Sequence, residues 1–131
     1  MTENSSGSAA APDPSGEIIL YQTEDGNTRI EVRHAGETVW LSQRAMAELF
    51  QVTVPTVNEH LANLYGEGEL TPEATVRKFR IVQNEGQRQV SREIEHFNLD
   101  VIISVGYRVK SHRGTQFRIW ATQHLRADSP G

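Results

Sequence analysis

No cysteine occurs among the 131 residues, which excludes disulfides, thiolate nucleophiles and cysteine-ligated zinc. No run approaches the roughly 20 apolar residues a membrane span needs. The first fifteen residues, MTENSSGSAAAPDPS, hold no large hydrophobe. Such a stretch cannot offset its ordering entropy, so a disordered tail is expected over residues 1–16. It has neither the basic start nor the apolar run of a signal peptide. A soluble, cytoplasmic protein is the expectation. Basic charge is also scarce early in the chain. Up to Thr75 only Arg29, Arg33 and Arg44 face twelve acids, whereas from Val76 onward ten basic residues face five. The net charge of −4 argues mildly against a general nucleic-acid binder. Any phosphate-binding surface must therefore draw on the second half.

What is present suits one α+β domain over residues 17–126, followed by a short tail at 127–131. EIILYQ (Glu17 to Gln22) and TRIEVR (Thr28 to Arg33) read as strands around Asp25-Gly26, a pair suited to a tight hairpin turn. TVWL, Thr38 to Leu41, reads as a third strand. Ser42 fits a helix N-cap, and Met46, Leu49 and Phe50 give the next segment one apolar stripe. After a turn over Gln51 to Val54, Pro55 suits a first helical position. Val57, Leu61 and Leu64 then recur at helical spacing, and Gly66 and Gly68 mark the end. VRKFRIV and Arg88 to Phe97 read as a second hairpin, a β wing. Leu99 to Val109 reads as a buried helix by the spacing of Leu99, Ile102, Ile103 and Gly106, with a strand as the alternative. Lys110 to Gly114 is expected as a polar loop, with Thr115 capping a last helix that presents Phe117, Trp120, Ala121 and Leu125.

Two segments carry candidate function. The pair of helices around Gln51 has the apolar spacing of a helix-turn-helix, although Gln51 stands where a left-handed turn favours glycine. A non-glycine residue there costs about 1–2 kcal/mol. On the second helix Asn58, His60 and Asn63 face outward with groups able to read bases, and on the first only Arg44 is at hand to contact phosphate. The alternative is a helical hairpin that merely packs. The segment GYRVKSHRGTQFRIW gathers Arg108, Lys110, His112, Arg113 and Arg118. Gly114-Thr115 at a helix start would add free N–H groups for an anion, and Tyr107 a stacking ring. The alternative is a solvated loop whose charges pair with the acidic half. Catalysis has little support. The five histidines show no metal-ligand spacing, Glu93 and Glu95 share a strand face with His96 on the other, and Ser104 reads as a packed hydroxyl. No enzyme, cofactor or metal is expected.

IILYQTEDGNTRIEVR, TVWLSQRAMAELF, EGEL and FNLDVIISVGYRVKSHRGTQFRIWATQHLR together resemble the N-terminal domain of the bacterial RhuM family of virulence proteins. The likeness covers about Glu17 to Arg126. The order of elements is more distantly similar to phage antirepressor and Bro N-terminal domains, which implies a mobile-element setting and DNA binding. This sequence departs from the family at Val54-Pro55-Thr56 and Glu59, where members carry basic residues. It also stops soon after the last helix, as a truncated paralogue would. The resulting expectation is a DNA-binding or regulatory module whose phosphate contacts come from the C-terminal basic loop, with double-stranded DNA as partner and a homodimer matching two half-sites. The alternative is a protein-interaction module, such as an effector or antirepressor-like binder, that uses the acidic N-terminal half.

Overall fold

The computed structural model describes residues 16–127; the tails expected at 1–16 and 127–131 lie outside the described residues, save Gly16 and Ala127. The chain runs β1 (Glu17–Gln22), β2 (Arg29–Ala35), β3 (Thr38–Ser42), α1 (Gln43–Phe50), α2 (Val54–Gly66), α3 (Pro72–Thr75), β4 (Val76–Glu85), β5 (Arg88–Asn98), α4 (Leu99–Arg108) and α5 (His112–Ala127). The strands form one antiparallel sheet in the order β1-β2-β3-β5-β4. This is the α+β architecture expected. β3 is short and meets β5 only from Trp40↔Asn98 to Ser42↔His96, so the rest of the β4–β5 hairpin projects as a two-stranded wing.

Strand alternation sorts side chains onto two faces. On one, Tyr21, Ile30, Val32, Val39, Leu41 and Phe97 bury against Met46, Leu49, Phe50, Val57, Val101, Ile102, Val105 and Phe117 from the helices. The opposite face carries a smaller cluster of Ala35, Trp40 and Phe79. Trp40 Nε1 donates to the Ala35 carbonyl at 3.1 Å, satisfying its one polar atom.

Local chemistry sets the helix ends. The Ser42 hydroxyl accepts from Ala45 N–H at 3.1 Å and the Thr53 hydroxyl from Thr56 N–H at 3.2 Å. Asn98 caps α4 by accepting from Val101 N–H at 3.2 Å. Between α1 and α2, Gln51 takes the left-handed conformation, φ 59° and ψ 45°, and its amide donates to the Glu48 carbonyl at 2.7 Å. Thr53 caps α2, so the helix starts at Val54, one residue before the expected start at Pro55. The β1–β2 turn is longer than a two-residue hairpin. Asp25 Oδ1 accepts from the Thr23 hydroxyl at 2.6 Å and from Asn27 N–H at 2.9 Å, bracing the turn from inside.

The last helix corrects the sequence reading. It starts at His112, not Thr115, because Lys110 at φ 55° reverses the chain and the Ser111 hydroxyl accepts from Arg113 N–H at 3.2 Å. Gly114 lies buried inside the first turn, its N–H donating to the Ser111 carbonyl at 3.2 Å. It offers no free helix-terminal N–H to an anion. Its role is packing: a Cβ on Gly114 would lie 3.3 Å from Gly106 Cα and 3.3 Å from the Phe50 ring. A Cβ on Gly106 would lie 3.1 Å from the same ring. The two helices cross backbone to backbone over Phe50.

Candidate functional site

The α4–α5 turn holds most of the basic residues singled out in the sequence, but it divides them. The Arg108 guanidinium donates to Glu67 at 2.7 Å and to Glu69 at 2.9 Å, tying α4 to the segment after α2. Hydrogen bonds from Arg108 and Ser104 hold the Glu69 carboxyl below the usual carboxylate range. Arg113 reaches the β1–β2 turn, donating to Asp25 Oδ2 at 2.9 Å, and also approaches the Leu49 carbonyl at 3.4 Å. The Asp25 carboxyl is likewise held low, chiefly by the Thr23 hydroxyl and the Asn27 amide. Both arginine side chains are largely covered, 22% and 23% exposed, so in this structure they bind the acidic half.

Lys110, His112 and Arg118 behave differently. All three are exposed and none has an ion-pair partner among the described residues. They line a groove of about 610 Å³ together with Tyr107, Ser111 and Thr115. Tyr107 is 85% exposed, and among the described residues no acidic one lines the groove. The start of the sixteen-residue α5 adds the positive end of its dipole.

The α1–α2 pair presents a more polar, nearly uncharged surface. Asn58 and Asn63 are exposed and His60 is half-buried. The Gln43 amide donates to Asn58 Oδ1, so one candidate base reader is already engaged. Arg44 is exposed, but it opens onto a different cleft.

That cleft was not legible in the sequence. It lies where β3 ends at Ser42 and leaves β2 and β5 without a strand between them, and it spans about 1150 Å³. Arg29, Arg44 and Arg80 alternate around it with Glu31, Glu48 and Glu93. At its floor His96 is buried, 4% exposed, with its ring 5.0 Å from Phe79 and Nδ1 2.9 Å from the Ile94 carbonyl. Arg77 stacks over Trp40 at 5.1 Å. Period-two alternation in β2, β3 and β5 puts Arg33, Trp40 and His96 on one sheet face, but it carries no sign that β3 stops short.

Burial holds the His96 imidazole below its ordinary value. The folded state therefore favours the neutral ring, and the unfolded chain takes up the proton first. This contribution to stability is complete above the ordinary imidazole value of about 6.5 and declines as pH falls below it. Urea unfolding across pH 5 to 7 is expected to show a smaller pH slope in His96→Leu than in the wild-type protein. Parallel slopes would remove His96 as the source.

Among known proteins, the model of the virulence protein RhuM family matches residues 74–128, from the end of α3 through α5. No curated protein and no solved structure gives a significant match. No described helix is long and apolar enough to cross a membrane. The wing, the α4–α5 turn with its groove, and the last helix all fall inside the matched segment, whereas α1 and α2 precede it. Over residues 74–128, as the likeness of its sequence implied, this chain matches the virulence protein RhuM family.

Proposed function

We propose that the chain is a cytoplasmic DNA-binding or regulatory module of phage or mobile-element type, binding rather than catalytic, anchored on DNA phosphates by the α4–α5 turn. The observation that carries this reading is the acid-free groove where Lys110, His112 and Arg118 converge beside an exposed Tyr107. Lys110 and Arg118 supply charge without first breaking an internal ion pair, and phosphate contacts of this kind dominate affinity for DNA. Arg108 and Arg113 then act mainly by bracing the turn against Glu67, Glu69 and Asp25. Asn58, His60 and Asn63 on α2 remain the candidate base readers, with Arg44 as a secondary phosphate contact.

Fluorescence anisotropy with mixed-sequence duplexes over a salt series tests this. The double variant Lys110→Glu, Arg118→Glu is expected to lose at least about tenfold in affinity. It should also flatten the log–log salt slope by about 1.8, roughly 0.9 for each phosphate no longer neutralised. Wild-type protein that fails to bind duplex even at low salt would end the proposal.

A second reading, a protein-interaction module, is favoured by the edge strand β1. Ile18 and Leu20 there are 53% and 58% exposed on the sheet face away from the helices. An apolar, unpaired strand edge is a template for a partner strand, including one from a second copy. Strong, salt-independent self-association without DNA binding would favour this reading over the first.

A further inference from the structure

The histidines show no ligand spacing along the chain, yet the fold brings two of them together. His34, near the end of β2, and His124, in the last turn of α5, stand 90 positions apart and place Nδ1 and Nε2 3.3 Å from each other. Glu17 at the start of β1 pairs with His34 across the hairpin and sets its Oε1 3.7 Å from the same Nδ1. The three ligand atoms all lie within 4.8 Å of one another. We propose that Glu17, His34 and His124 form a binding site for a divalent transition-metal ion, with Zn²⁺ as its representative occupant.

The spacing supports this. Zinc bonds of about 2.0–2.1 Å at tetrahedral angles put neighbouring ligand atoms about 3.3–3.4 Å apart. The His34–His124 edge, 3.3 Å, lies at that value and the Glu17–His34 edge, 3.7 Å, above it, so a rotation of the exposed Glu17 side chain toward the two rings completes the face. Two imidazoles and one carboxylate are a donor set that zinc accepts with its fourth position left to water. The same set disfavours Mg²⁺ and Ca²⁺, which prefer all-oxygen shells. The ligands are also oriented. Trp120 stacks on His124, with centroids 5.6 Å apart and planes 14° from parallel, and the β1–β2 register fixes His34 opposite Glu17. An ion here replaces a proton between the two rings and joins the end of α5 to the sheet edge.

Isothermal titration of untagged, chelator-treated protein with Zn²⁺ tests the site. One ion per chain is expected to bind, with no comparable heat from Mg²⁺. Saturating Zn²⁺ should raise the melting temperature. His124→Gln should weaken Zn²⁺ binding at least about tenfold, the least that loss of even an outer partner of a metal site costs, and abolish the thermal shift. Glu17→Gln supplies the check against misfolding, because its side chain is 69% exposed and its loss leaves the core intact. It too is expected to weaken binding while melting normally without metal. Absence of Zn²⁺ binding to the wild-type protein, or affinity unchanged in Glu17→Gln and His124→Gln, overturns the site.

Discussion

A fragment of residues 74–128, made alone, is expected to show no cooperative thermal unfolding. This is the segment that matches the family, and it contains the whole of β4, β5, α4 and α5. Its apolar residues are nonetheless cut for partners elsewhere. Phe97, Val101, Ile102, Val105 and Phe117 share one core with Tyr21, Val39, Leu41, Met46, Leu49 and Phe50, all upstream of residue 74. Without them the wing is a two-stranded hairpin, marginal in water. Helices of ten and sixteen residues are then left to their own propensity, which is also marginal. The ion pairs of Arg108 and Arg113 lose Glu67, Glu69 and Asp25 as well. Far-UV circular dichroism should record a gradual, featureless melt for the fragment and a sigmoidal one for the whole chain. A sharp transition in the fragment would show that the matched segment owns a core of its own.

Phe117→Ala is expected to be the most damaging single truncation in the joint between the two halves. The ring is fully buried and meets Tyr21 edge-on, with centroids 5.1 Å apart, and Trp120 at 5.6 Å. It therefore holds α5 to β1, the outermost strand of the sheet on that side. Deleting a buried phenylalanine costs about 3–5 kcal/mol, transfer and cavity terms together, and edge-to-face pairs add about 0.5–1.5 kcal/mol beyond area. Domains of this size are stable by only about 5–15 kcal/mol. A fall in melting temperature of roughly 12–20 °C follows. Phe117→Leu, which keeps most of the volume, should cost far less. A fall of only a few degrees for the alanine variant would mean that α5 is not anchored through this ring.

Periodic and local signals were the legible part of the fold. β1 spans the stretch read as a strand, and Ser42 caps α1 as its position before an apolar stripe implies. Gln51 takes the left-handed turn despite its side chain. Each of these depends on residues within a few positions of one another. The start of α5 was misread because glycine has two uses. A buried glycine at a helix crossing and a glycine at a helix start look alike in sequence, and only the proximity of Phe50, 64 positions from Gly114, decides between them. Partners for the basic residues were hidden for the same reason. Nothing near Arg113 in the chain points to Asp25, and nothing near His124 points to His34. The cleft beyond Ser42 arises from a strand that stops early, which leaves no composition signal.

The approach of Gly106 to Gly114 also bears on how the chain reaches this structure. It joins residues eight apart, and a loop of that size closes in about 10–100 ns. By contrast, β3 meets β5 through Trp40 and Asn98, which stand 58 positions apart. The longer closure costs about 1.8 kcal/mol more in chain entropy, in a molecule whose other strand pairs are hairpins between neighbours in the chain. The helical elbow that carries the basic groove thus closes at a lower entropic cost than the seam between the acidic and basic halves.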